Sequence, residues 1–229
     1  MYFDMSYLLF VVPALILSII AQIGVKRAYK TMSRQYSMSG LTGAMAAQSV
    51  LRYYGITDVR IEQVSGKLTD HYDPRANVIR LSEGVYGSNS IAAIGIACHE
   101  AGHAAQYAES YTPIRVRNSI LPVTRIGSYL GIPLALIGYW IPMLDFLIPV
   151  GLLLYSFIML FQLVTLPVEF NASRRAITVI GETGLLRSEE ELKGAKKVLR
   201  AAAMTYVASL AVTFANLLRF LLIFSRRRR

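Results

Sequence analysis

The sequence predicts a mainly α-helical membrane protein, with about four transmembrane or membrane-associated helices attached to a small α+β body that carries a short sheet. Three observations predict it. Of 229 residues, 54% are hydrophobic and 17% charged, and the mean hydropathy is +0.44. The uncharged residues are gathered into runs long enough to cross a bilayer. The polar segments between them show short strand alternation and one well-capped helix. Such a composition excludes disorder and an ordinary soluble domain, and the length leaves room for one compact body beside the membrane segments. The single cysteine, Cys98, forbids an intrachain disulfide and a four-cysteine zinc site.

The first run, Met5 to Val25, has 21 residues without a charge, close to the roughly 20 needed for a hydrocarbon core of about 30 Å. We read 5–25 as a retained helix and not a cleaved signal peptide. Asp4 precedes the run where a signal would carry basic residues, and no small-x-small site precedes Lys26. Residues 119–166 are 48 residues with two charges, Arg125 and Asp145, which suits a helical hairpin. Pro142, Asp145, Tyr139 and Trp140 place its turn near an interface. A fourth segment, 201–225, starts with 18 uncharged residues from Ala201 to Leu218 and precedes a basic tail, 226–229. Backbone polar groups in lipid find no partner but one another, so these runs are helical whatever their local propensity.

Lysine and arginine set the orientation. Residues 26–118 carry 11 of the 24 basic residues and 167–200 carry 7, whereas the turn near Asp145 carries none. Both polar segments are therefore expected on the cytoplasmic side. The tail 226–229 opposes that rule if 201–225 crosses, and fits it if that segment lies along the membrane surface. The net charge of +10 suits a basic face beside anionic lipid. No nucleic-acid motif accompanies it, so the expected partner is the lipid bilayer and not a polynucleotide.

Within 26–118, Ser39 and Thr42 are N-cap candidates for a helix through about Tyr54 that stops at Gly55. Val59 to Val64 and Asn77 to Leu81 alternate as two short strands around the turn residues Asp73 and Pro74. Ser88, Asn89 and Ser90 offer N-caps for a helix of about 90–109. That helix is built of Ala, Gly and Ile, so any polar residue on it needs a partner. At its middle stands His99-Glu100-Ala101-Gly102-His103, the pattern H-E-x-x-H. Residues four apart return to one helix face about 6 Å further on, so both imidazoles can reach one metal ion. Glu100 projects about 100° away, the geometry of a general base beside the metal. Cys98 faces elsewhere and reads as core.

A catalytic zinc site has three protein ligands and an open position. No third histidine follows His103 at the spacing of the longer motif, which leaves His71 and the carboxylates. Glu169 stands out, because it follows Pro167 at the end of an apolar stretch. It would share a helix face with Ser173 and Ala176, or else pair with Arg174 or Arg175 on a solvated helix. Asn171 is a candidate to orient a ligand histidine.

Several stretches carry a resemblance. They are Ser39-Gly-Leu-Thr-Gly43, Leu68-Thr-Asp-His-Tyr-Asp-Pro74, Ser90 through His103, Leu163-Val-Thr-Leu-Pro-Val-Glu-Phe-Asn-Ala-Ser-Arg-Arg-Ala176 and Gly194-Ala-Lys-Lys197. With them the chain resembles the YugP-like neutral zinc metallopeptidases of bacterial membranes over nearly its whole length. The resemblance implies a zincin-like, gluzincin-type site similar to that of HtpX-type proteases. In it one Zn2+ is held by His99, His103 and Glu169, Glu100 is the base, and the enzyme hydrolyses peptide bonds in a peptide or membrane-protein substrate. It implies a bacterial cell membrane location and leaves a homo-oligomer open. Where that family usually has Glu-Phe-Asp-Ala-Ser, this chain has Asn171, a weaker partner for a ligand imidazole than a carboxylate.

His71 or Tyr72 is a candidate donor to the tetrahedral oxyanion, against a plain turn in which Asp73 bonds its own backbone. Asn77, Val78, Ile79, Arg80 and Leu81 are expected as an edge strand that takes an extended peptide by β-pairing. A zinc-containing scaffold without turnover is the alternative function, and Asn171 favours it. A transporter is disfavoured, because the apolar segments hold almost no ionisable residues.

Overall fold

The computed structural model describes residues 5–225. Asp4 and the basic tail 226–229 lie outside the described residues. Seven helices and three strands follow in chain order: α1 (Val12–Met32), α2 (Gly43–Tyr53), β1 (Arg60–Val64), β2 (His71–Asp73), β3 (Val78–Ser82), α3 (Glu83–Tyr86), α4 (Ile91–Ala108), α5 (Thr112–Trp140), α6 (Leu147–Thr183) and α7 (Glu189–Ser225). A π-helical turn, Tyr7–Val11, leads into α1. The fold is that of a mainly helical membrane protein with a small sheet, and among the described residues four helices are long and apolar enough to cross a membrane: Tyr7–Met32, α5, α6 and α7.

The chain forms two compact units. One takes the described parts of Met1–Gln22, Thr112–Pro167 and Met204–Arg229; the other takes Ile23–Tyr111 and Val168–Ala203. Helices α6 and α7 have 37 residues each, about 55 Å at 1.5 Å per residue and well beyond a bilayer core. Each runs without a break from one compact unit into the other, α6 across Pro167 and α7 across Ala203. Pro167 lies inside α6, where it forfeits an intrahelical bond.

In the first unit α5 and α6 pack backbone to backbone. A methyl on Gly131 would lie 3.1 Å from the Gly151 carbonyl, and one on Gly138 would lie 2.9 Å from the Ile148 nitrogen. In lipid, where apolar contact gives no preference for protein over solvent, such small-residue seams let helices approach closely enough for dispersion to hold them. Thr124 Oγ1 donates to the Ile120 carbonyl at 2.9 Å and reaches that of Phe157 at 3.3 Å. Gln162 Nε2 donates to Ser209 Oγ at 3.1 Å, linking α6 to α7. Arg219 lies over the rings of Tyr7 and Phe220. Ile16, Ile20 and Leu153 are left exposed, as an apolar surface facing acyl chains would be.

The second unit is built around α4. The Thr42 side chain accepts the Met45 N–H and caps α2, whose Ala46, Ala47, Val50 and Leu51 are buried in the same core as Ala97, Cys98 and Ala101 of α4. Gly55, at φ +67°, ends the turn in a conformation that costs glycine nothing. Of the three cap candidates before α4, Ser90 accepts the Ala93 N–H. Burial pushes the Cys98 thiol well above its ordinary value, as befits a core residue. Ser188 and Glu191 form a reciprocal box at the start of α7: Glu191 Oε2 accepts the N–H groups of Arg187 and Ser188, and Ser188 Oγ accepts that of Glu191. Glu191 Oε1 also accepts the Met38 N–H at 2.6 Å.

The sheet order is β1-β3-β2, with β1 parallel and β2 antiparallel to β3. This corrects the expectation for Asn77, Val78, Ile79, Arg80 and Leu81. Val78 to Ser82 form the central strand, with Val78, Ile79 and Arg80 paired to a neighbour on both sides, so β3 is not an edge strand. The segment His71–Asp73, for which a turn was one of two readings, is a strand paired as His71↔Arg80, Tyr72↔Ile79 and Asp73↔Val78. The turn follows it: Asp73 Oδ1 accepts the N–H groups of Arg75 and Ala76. Hydrogen bonding from the Arg80 guanidinium, 2.8 Å away, holds the Asp73 carboxyl below the usual carboxylate range.

Candidate metal centre

Helix α4 brings His99 and His103 to one face, with ring centroids 4.7 Å apart and planes at 82°. Helix α6 supplies Glu169, 5% exposed, whose Oε2 lies 3.4 Å from His99 Nε2 and 3.7 Å from His103 Nε2. One donor atom from each residue falls within 4.8 Å of the other two. Ligands held at about 2.0–2.1 Å in tetrahedral array stand about 3.4 Å apart, so this donor set suits a zinc ion. The far ring nitrogens fit as well. Ser173 Oγ lies 3.2 Å from His99 Nδ1, and Gln106 Oε1 lies 2.9 Å from His103 Nδ1. Gln106 Nε2 donates to the Val168 carbonyl and to Asn171 Oδ1, so its Oε1 is an acceptor. His103 therefore carries its proton on Nδ1 and turns the Nε2 lone pair inward.

Burial opposes charge on His103, but the Glu169 carboxylate and the Glu100 charge outweigh it and raise the imidazole above its ordinary value. Close approach of α4 and α6 makes the trio reachable: a methyl on Gly102 would lie 2.8 Å from the Ala172 carbonyl. Glycine inside a helix costs about 1 kcal/mol relative to alanine. Here it offsets that cost by letting His99 and His103 of one helix meet Glu169 of the other.

Glu100 is half-buried beside the trio on α4. Its Oε2 accepts the backbone N–H of Tyr72 at 3.1 Å, so the outer edge of β2 faces the carboxylate. The Tyr72 hydroxyl is committed elsewhere, donating to Asn77 Oδ1 at 2.7 Å, and its ring packs on Tyr107 at 5.4 Å. His71 is exposed, and its Nδ1 donates to the Thr69 carbonyl at 2.8 Å. Neither side chain belongs to the group of His99, His103 and Glu169.

Asn171 makes no direct hydrogen bond to His99 or His103; its Oδ1 accepts from Gln106 and from Arg175 Nε at 2.8 Å, and Gln106 stands between it and His103. Sequence reasoning assigned no role to Gln106 or Gly102, and it offered Arg175 as a partner of Glu169, whereas Arg175 pairs with Glu109. The signal for Gln106 was present: a polar residue three positions after His103, on a helix with almost no polar face, falls beside that histidine and needs a buried partner.

Fold and site together define a helical membrane protein with a candidate zinc centre on an H-E-x-x-H helix. The chain belongs to the family described as "putative neutral zinc metallopeptidase", whose model matches residues 7–225. It is 46% identical over 220 residues to "Putative membrane protease YugP" of Bacillus subtilis (strain 168), covering 96% of this chain and 97% of that protein. No solved structure matches the chain.

Proposed function

We propose that the chain is a membrane-integral zinc endopeptidase of gluzincin type, with Glu100 as general base and its catalytic body on the cytoplasmic side. The observation that carries this reading is the convergence of His99, His103 and Glu169 on one point, with Glu100 on the adjoining turn of the same helix. Zinc, when held by these three residues, supplies Lewis acidity toward a water and a scissile carbonyl. The Tyr72 N–H fixes Glu100 Oε2 and leaves Oε1 to take the proton of the attacking water. As the water oxygen bonds to the carbonyl carbon and the C–N bond breaks, Glu100 passes that proton to the departing amine.

The free edge nearest this chemistry is β2. A strand residue's C=O points to the same side as its N–H, so the Tyr72 carbonyl faces the edge on which Glu100 sits and can accept a substrate N–H. An extended peptide is held there by β-pairing. His71 is the remaining side-chain candidate for the oxyanion. With Nδ1 donating to Thr69, its Nε2 donates only when the ring is the imidazolium. The basic segments 26–118 and 167–200 support a cytoplasmic placement.

The test is Glu100→Gln in purified, zinc-loaded protein. The variant retains stoichiometric zinc while cleavage of a casein substrate falls by about 10²–10⁴-fold, the usual contribution of a positioned base. Full zinc occupancy in an unmodified protein that cleaves no peptide would replace this reading with that of a zinc-containing scaffold.

A further inference from the structure

Behind His103 a line of side chains crosses from α4 to α6 and back. His103 Nδ1 donates to Gln106 Oε1 at 2.9 Å. Gln106, fully buried, donates from Nε2 to the Val168 carbonyl at 2.8 Å and to Asn171 Oδ1 at 2.9 Å. Asn171 Oδ1 takes a second bond from Arg175 Nε at 2.8 Å. Arg175 Nη2 in turn meets Glu109 Oε2 at 2.6 Å, at the end of α4. The rings of Tyr54 and Tyr111 lie 5.4 and 5.9 Å from the guanidinium carbon. On α4 the members are 103, 106 and 109; on α6 they are 168, 171 and 175. Successive members of each set are three or four residues apart and so adjoin on the helix surface.

We propose that Gln106, Asn171 and Arg175 act as positioning residues that fix the tautomer and ring orientation of His103 for metal binding. The inference rests on the metal-site reading above, and not on turnover. An amide side chain alone could sit either way round behind an imidazole. Here its NH2 end is claimed by two acceptors, so its oxygen has one place to go, against His103 Nδ1. That acceptor forces the proton onto Nδ1 and leaves Nε2 bare. Asn171 orients the amide, and Arg175 orients Asn171, since a guanidinium only donates and must face an oxygen. The line therefore needs an acceptor oxygen at position 171, and it does not need a negative charge there. Arg175 is already neutralised by Glu109, so an amide oxygen serves both donors and adds no second anion close to Glu169 and Glu100.

Partners of ligand histidines are worth 10–100-fold in metal affinity, which sets the scale of the test. Zinc affinity is measured by chelator competition on detergent-solubilised protein, together with the visible spectrum of the cobalt-substituted form. Gln106→Leu should weaken zinc binding by about 10–100-fold and alter the cobalt bands. Asn171→Leu should do the same, while Asn171→Asp, which keeps an acceptor oxygen, should restore affinity to within a few-fold of the unmodified protein. That rescue keeps the test decisive should Gln106→Leu fail to fold. Unchanged affinity and spectrum in folded Gln106→Leu, or equal losses in Asn171→Leu and Asn171→Asp, would overturn the inference. An unmodified protein that binds zinc but hydrolyses nothing removes the peptidase reading and leaves this one standing. An unmodified protein that binds no zinc removes both.

Discussion

Gly102 is the residue where fold and chemistry can be separated by one methyl group. A Cβ at this position would stand 2.8 Å from the Ala172 carbonyl oxygen and 3.4 Å from the Ala172 Cα, against an ordinary contact of 3.4 Å or more. The obstacle is backbone, so no rotamer change relieves it. Gly102→Ala must therefore move α4 away from α6 by about 0.6 Å, the difference between those two contact distances. Overpacking of this kind costs about 1–3 kcal/mol, offset by about 1 kcal/mol of helix propensity gained. The effect on the metal is larger than the effect on the fold. His99 and His103 ride on one helix and Glu169 on the other, and metal–ligand distances tolerate only about ±0.2 Å. We expect the Gly102→Ala protein to remain folded, with its melting temperature in detergent lowered by no more than a few degrees. Zinc affinity should fall by at least 10-fold, the lower bound for disturbing the support of a ligand. Metal analysis after dialysis against a graded chelator series reads the affinity, and thermal melting with and without zinc reads the coupling. A variant that binds zinc as tightly as the unmodified protein would refute the claim that the approach at Gly102 sets the ligand geometry.

Three further outcomes follow from the same geometry. Glu169→Ala removes the sole ligand from α6 and should abolish stoichiometric zinc binding, whereas Glu100→Gln retains it; metal analysis of the two variants side by side distinguishes ligand from base. Because Glu169 raises His103 above its ordinary value, the contact stabilises metal-free protein below about pH 6.5. That contribution is lost as pH rises through the elevated value, while protons compete with the metal in the same window. The rise in melting temperature on adding zinc should therefore grow with pH from 5.5 to 8, and a flat or falling profile would contradict it. Glu191→Ala strips acceptors from the N–H groups of Met38, Arg187 and Ser188. It should cost about 2–3 kcal/mol, read as an earlier thermal unfolding with zinc stoichiometry unchanged.

Much of this molecule is legible along the chain. Helices in lipid must satisfy their own backbone, so long apolar runs fix their own secondary structure. Ser90 and Thr42 mark the starts of α4 and α2 because a hydroxyl there accepts an N–H that the helix leaves open. The pair His99 and His103 needs only the helical repeat to share a face. The strands were harder to place. Val59 to Val64 and Asn77 to Leu81 alternate visibly, but alternation does not say which strand lies in the middle. The three-residue β2 is too short to show a period, and it takes the edge that β3 was expected to hold.

The features legible in the chain alone are therefore local: the apolar helices, the caps of the helices that surround the site, and two imidazoles and a carboxylate within two turns of α4. Three features needed the folded molecule: the approach of Glu169, 66 residues beyond His103, to both rings, the bond from the Tyr72 backbone to Glu100, and the bond between Asn171 and Gln106. The physical reason is range. Periodicity and capping act within a turn or two of the chain. Convergence of α4 and α6 depends on a contact without side chains, at Gly102 against Ala172, which no pattern of residue types along either helix records.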